Sequence, residues 1–196
     1  MFQNKQEALN ELLNIIDLDK IRDNIVLSIS KRGIFYAREI GLRAGFLEGD
    51  FLFIEKVKSP INKKTPLAVV SETKDYVIIE EFVRSFEVND DFLFSEIERV
   101  YEEKILQDIY QLRAGEGIIS LKDRNVLLVD EGIDTGLTLM CAIKSCISKG
   151  ANTINVAAPI VSKEASDMIS KLVDNTFFVK EIEDFVSIDF YFKENE

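Results

Sequence analysis

Histidine is absent from this chain. That removes Ser-His-Asp triads, His-ligated zinc and histidine general bases together, and leaves proton transfer to carboxylates, Lys or Tyr. Cysteine is scarce. Cys141 and Cys146 are the two thiols, with four residues between them on one helical stretch. The spacing is not a zinc pattern, and a disulfide across it would strain a helix, so buried structural thiols are expected. Positive charge is in deficit: the formal net charge is −11. Nucleic acid is therefore disfavoured as a partner, because phosphate contacts need a basic face. Long apolar runs are also missing, and the opening MFQNKQEALN has no signal-peptide core. The expectation is a cytoplasmic protein without membrane contact.

What remains is a chain of 196 residues, 46% hydrophobic, long enough for one α/β domain with a sizeable core. Its organising stretch is NVLLVDEGIDTGLT, residues 125–138. The apolar run 126–129 fits a buried strand of a parallel sheet. Asp130 and Glu131 follow at once, so both carboxylates fall at the strand's C-terminal edge, where open α/β sheets bind ligands. Thr135, Gly136, Leu137 and Thr138 then turn into a helical pattern that begins at Leu139. A helix N-terminus offers free N–H groups and a favourable dipole to a phosphate. Gly136 permits close approach, and the two Thr hydroxyls can donate. Acceptors for sugar hydroxyls beside donors for a phosphate describe a phosphorylated sugar.

Residues 25–29 make a second strand candidate, ending in Ser30-Lys31-Arg32-Gly33 before a helix that runs to about residue 44. A hydroxyl, two cations and a Gly at a strand end form another anion-binding turn. The pattern elsewhere reads as an amphipathic helix over 3–16, a strand over 51–54, and an exposed Pro-containing loop over 58–66. Two short strands, 67–71 and 76–80, flank a hairpin signal. A long helix over 90–113 repeats apolar residues at three- and four-residue spacing. A helix follows to 149, then a strand over 153–158 closed by Pro159, a helix over 162–172 with Ser162 as its cap, and a strand over 176–179. This alternation predicts a central parallel sheet with helices on both faces. The tail, 183–192, is EDFVSIDFYF and also suits an edge strand packed on the core.

VLLVDEGIDTGLT resembles the phosphoribosyl-pyrophosphate motif of type I phosphoribosyltransferases: apolar strand, two acids, short spacer, Thr-Gly-x-Thr. Asp134 just before Thr-Gly resembles the hypoxanthine-type purine enzymes. The layout from Lys31-Arg32-Gly33 through Tyr110 and Arg113 is similar to a small bacterial group of predicted phosphoribosyltransferases without a settled base. The resemblance implies one domain over 1–196, with a lid and helical insertion at 57–115 and a hood segment at 180–196. It implies a pyrophosphate loop at Ser30, Lys31, Arg32 and Gly33, with Lys56 reaching the same group. It implies that Phe185-Val186 stacks on the base, although Asp189 comes too early to match the metal-contacting Asp of the purine enzymes. Asp130 and Glu131 would hold the ribose hydroxyls, and Mg²⁺ would bridge those hydroxyls and the pyrophosphate. Asp134 is either the general base for the incoming ring nitrogen or a helix N-cap. The partners implied are phosphoribosyl pyrophosphate, a nucleobase with purine favoured, and a second copy in a homodimer. Helix 90–113 would line that dimer or extend the lid. A non-catalytic nucleotide-binding regulator on the same fold is the alternative. A Rossmann dinucleotide enzyme is excluded, since no G-x-G-x-x-G follows the first strand.

Overall fold

A computed structural model describes residues 1–21, 23–45 and 49–193. Residues 194–196 of the expected hood segment lie outside these. The chain opens with helix α1 (Lys5–Ile15) and the short α2 (Leu18–Ile21). Asn4 caps α1 by accepting a hydrogen bond from the Glu7 amide at 3.0 Å. Strand β1 (Asn24–Ser28) leads to helix α3 (Gly33–Ala44) and strand β2 (Gly49–Phe51). The chain then leaves the main sheet. Strands β3 (Ile54–Lys58), β4 (Pro66–Ser71) and β5 (Tyr76–Ile78) form a separate antiparallel sheet. Helices α4 (Glu80–Ser85) and α5 (Asp90–Val100), a π segment (Tyr101–Ile105) and helix α6 (Leu106–Arg113) follow. The main sheet resumes with β6 (Asn125–Val129), β7 (Gly132–Ile133), α7 (Leu137–Ser148), β8 (Thr153–Ser162), α8 (Lys163–Ile169) and β9 (Asn175–Ile182). A 3₁₀ turn, Ile188–Tyr191, ends the chain's regular structure.

The main sheet is wholly parallel, with β2, β1, β6, β8 and β9 side by side. Strand β7 carries on beside β8 along the edge that β6 has just left. Its central strands β1, β6 and β8 are buried on both faces, as the middle of a parallel sheet requires. Alternate residues serve opposite cores. Ile25, Leu27, Val126 and Leu128 face α7 and α8, whose Leu139, Ala142, Ile143, Ala165 and Ile169 complete one cluster. Val26, Leu127 and Val129 face α1 and α3, meeting Leu9, Leu12, Tyr36 and Ile40. The expected α/β architecture is what the chain adopts. Cys141 and Cys146 are free, buried thiols on α7. Among the described residues, no helix is long and apolar enough to cross a membrane.

Several boundaries differ from the sequence expectation. The strand expected at 51–54 is two strands in different sheets: β2 ends at Phe51 and β3 begins at Ile54, while Leu52 and Phe53 are buried at the crossing. A continuous apolar run does not reveal which sheet each half joins. Residues 79–80 leave β5 and start α4. Pro159 does not close β8. Ala157 gives its carbonyl to the Asp130 amide, so residue 159 faces the same side. There it falls between the last β6 pair and the first β7 pair, where no ladder needs its missing N–H. The tail is not an edge strand but an irregular segment ending in the 3₁₀ turn.

The helix expected at 90–113 is continuous apart from its π segment, with Asn89 capping it through the Phe92 amide at 2.8 Å. Its apolar face covers the small sheet: Leu93, Ile97, Val100, Ile105 and Ile109 pack with Val57, Leu67 and Val70. This small unit is fastened to α7. Thr73 Oγ1 donates to Ser145 Oγ at 2.9 Å, Ser145 to Ser71 Oγ at 2.8 Å, and Lys144 to the Tyr76 carbonyl at 2.9 Å. Arg113 ties it to the main sheet, pairing with Glu72 and, at 3.0 Å, with Asp50 on β2. At the opposite side, Phe2 bridges to Phe192 in strand fashion, their rings 5.5 Å apart, and the Phe2 amide donates to the Tyr191 carbonyl at 2.7 Å.

Candidate active site

Parallel pairing of β1 with β6, Ser28 opposite Val129, brings the two sequence motifs together at the sheet's C-terminal edge. Ser30 Oγ donates to Asp130 Oδ1 and accepts from the Gly33 amide at 3.0 Å. One hydroxyl thus links the first turn to the acid on the neighbouring strand. The link needs Gly33. A Cβ there would stand 2.8 Å from the Val129 carbonyl oxygen and 3.0 Å from Asp130 Cα, so only glycine lets α3 start this close to β6. Asp130 is buried, and burial pushes its carboxyl up to about 6, against hydrogen bonds from Ser30 and the Glu131 amide.

Successive side chains leave a strand end in opposite directions, and the acid pair divides accordingly. Asp130 lines the cleft; Glu131 does not. The Glu131 carboxylate lies behind the turn, 3.7 Å from Lys5 Nζ on α1 and 3.5 Å from Arg32 Nη1. Burial raises its pKa, opposed by Lys5 and Arg32. Its charge, after burial itself, also raises the pKa of the enclosed Tyr36 phenol. Arg32 makes its shorter contact, 2.5 Å, with Asp189 of the C-terminal 3₁₀ turn.

The second motif forms the facing wall. Gly136 occupies the left-handed region, φ 71°, immediately before α7, which starts without a side-chain cap. The Leu137 amide is 3.4 Å from Thr135 Oγ1, and Leu137, Thr138 and Leu139 of the first turn line the cleft. Ser162 pins the loop from below: its Oγ donates to the Asp134 carbonyl at 2.5 Å and accepts from the Ala165 amide at 3.1 Å, capping α8 as expected. Asp134 does not cap α7; Gly136 holds that position, and the exposed Asp134 side chain lines the cavity.

A cavity of about 760 Å³ joins these parts. Ser30, Lys31, Arg32, Asp130 and Asp134 to Thr138 line it from the main sheet, and Phe53, Ile54, Lys56, Lys58, Lys104 and Asp108 from the small unit. Among the described residues, no group of three or more Asp, Glu or Cys side chains could hold a metal unaided.

No protein-family model matches the chain, and no curated protein matches it. Solved structures do. TT1426 from Thermus thermophilus superposes with a TM-score of 0.75 at 23% identity, over 98% of this chain and 90% of that one. The purine phosphoribosyltransferase from Pyrococcus horikoshii Ot3 gives 0.54 at 15% identity, over 95% and 90%. A hypoxanthine phosphoribosyltransferase from Staphylococcus aureus gives 0.53 at 11%, over 92% and 76%. The fold is that of the type I phosphoribosyltransferases.

On this phosphoribosyltransferase fold, residues expected to share a site fall into three groups. Ser30, Lys31, Arg32, Lys56, Asp130, Asp134, Thr135, Gly136, Leu137 and Thr138 line one cavity, with Gly33 buried directly beneath. Glu131 stands behind it. Phe185 and Val186 are not brought to it at all: the Phe185 ring packs on Tyr191, centroids 5.3 Å apart, and Val186 points to solvent. The tail turns back after β9 instead of running along the cleft, and Ile188 is the tail residue that lines it. Lys58, Lys104 and Asp108 escaped the sequence reading. Lys56 and Lys58 carry a signal, since they alternate with buried Val57 on β3. Lys104 carries none, being one more charge on the polar side of a long helix.

Proposed function

We propose that the protein transfers the 5-phosphoribosyl group of phosphoribosyl pyrophosphate to a nitrogenous base, with a purine favoured, and releases pyrophosphate. The observation that carries this is the hydrogen bond from Ser30 to Asp130, which joins an anion-binding turn to a sugar-binding acid in one cleft. The base nitrogen forms its bond to C1 as the C1–O bond to pyrophosphate breaks, and charge builds on the ribose ring as at other glycosyl centres. Thr135 to Thr138 anchor the 5-phosphate on the α7 amides, turning remote binding energy into orientation. Asp130 accepts from the ribose hydroxyls and sets negative charge beside the developing cation. Lys31 receives the leaving group with Arg32 beside it, while the Gly33 amide, expected to share in this, is spent on Ser30. Asp134 takes the proton lost by the base nitrogen. Ile188, which lines the cavity from the tail, offers the base the apolar contact that the resemblance implied for Phe185 and Val186. Asp130 would hold Mg²⁺, whose charge would offset that of the pyrophosphate.

A second reading has one observation behind it. Glu131 is committed to Lys5 and Arg32, so only one acid of the pair faces the cleft. That is enough for a regulator that binds the sugar phosphate without reacting. Pyrophosphate release on mixing protein, Mg²⁺, donor and a panel of purine and pyrimidine bases decides between them. Release with one base supports the transferase; donor binding with no release for any base supports the regulator.

A further inference from the structure

The cleft holds more positive charge than the two motifs account for. Of the turn's cations, Arg32 is already engaged by Asp189 and Glu131, leaving Lys31 as the one without an ion-pair partner among the described residues. A pyrophosphate needs more than that. Across the cavity, Lys56 and Lys58 stand exposed on β3 on either side of buried Val57, and neither has an ion-pair partner among the described residues. Lys104 joins them from the helical insertion, 3.6 Å from Glu55. It sits in the π segment Tyr101–Ile105, an irregular turn of the kind that gathers at functional sites. Set against Glu55 and Asp108 on the same wall, these three lysines still leave the small unit's side of the cavity net positive in a chain of net charge −11.

We propose that Lys58 and Lys104, beside the already expected Lys56, complete the leaving-group site and select a donor bearing a diphosphate over a sugar monophosphate. The proposal rests on the transferase reading above. Lys31 grips the pyrophosphate from the main sheet, and the lysine ledge grips it from the small unit. The ledge thereby does the work of a closing lid from a fixed position, because β4 and β5 are fastened to α7. Lys104 exchanges Glu55 for the phosphate oxygens when the anion arrives.

The test titrates inorganic pyrophosphate and ribose 5-phosphate, each with Mg²⁺, into the wild-type protein and into Lys58→Gln, Lys104→Gln, the double variant and Lys104→Arg, by calorimetry. Charge-assisted contacts predict about a tenfold loss of pyrophosphate affinity for each Gln, with ribose 5-phosphate changed less than about twofold. Lys104→Arg should keep most of the affinity. Both side chains are exposed, so thermal melting should match wild type. Unchanged pyrophosphate affinity in the double variant overturns the ledge, and so does an equal loss for ribose 5-phosphate. A wild-type protein that binds neither ligand overturns the transferase reading itself, a result distinct from either of those.

Discussion

Replacing Asp130 with Asn should make the protein more stable at neutral pH and deprive it of its donor. The buried carboxyl titrates at about 6 in the folded chain against an ordinary 3.8. Two units of difference, at 1.36 kcal/mol each, set a ceiling of about 3 kcal/mol. The direction follows from which state holds the proton more tightly. The folded state does, so the carboxyl's stabilisation is complete below 3.8 and is lost as pH rises through about 6. Above that the wild type carries a buried charge that Asn does not. Asn also keeps an oxygen to accept from Ser30 Oγ and from the Glu131 amide, which now donates at 2.7 Å. Urea unfolding should therefore show Asp130→Asn more stable than wild type by about 1 to 3 kcal/mol near pH 7.5, with the gap mostly closed near pH 4. Calorimetry on the same samples should find phosphoribosyl-pyrophosphate binding severely weakened. A variant no more stable than wild type near neutrality, or a gap that does not change with pH, would refute the idea that this acid is held charged at a cost for the sake of its ligand.

Asp134→Asn keeps shape and removes basicity, so turnover should fall by roughly 10²-fold while donor affinity stays near wild type; parallel losses in steady-state kinetics and calorimetry would point to a binding role instead. Gly33→Ala forces a methyl against the Val129 carbonyl oxygen, and should cost about 1–3 kcal/mol in chemical denaturation together with most of the activity. Activity should vanish in excess EDTA and return with added Mg²⁺; persistence in chelator would contradict a metal held by Asp130.

The parts of this molecule that were legible in its sequence are those where one residue type has few alternatives. The run at 126–129 followed by acids marks the sheet edge, and Gly33 and Gly136 each sit where a Cβ would collide with a neighbour or the backbone turns left-handed. Helix 90–113 announces itself by its apolar period. What stayed hidden depends on partners distant in sequence. Whether residues 51–54 belong to one sheet or two is decided by β1 and β4, not by the run itself. Pro159 reads as a stop until the break between β6 and β7 supplies the place where a missing N–H goes unnoticed. The division of the acid pair follows from Lys5 and Arg32 drawing Glu131 behind the turn. The direction of the tail follows from Tyr191 and Phe192 packing beside Phe2.

That last contact has a practical corollary. Phe2 and Phe192 are pinned to each other within one turn of Asp189, the acid that holds Arg32. A label attached beside Phe2 or Phe192 would pull on the Arg32 turn, so the exposed loop at 60–64 is the safer place for one.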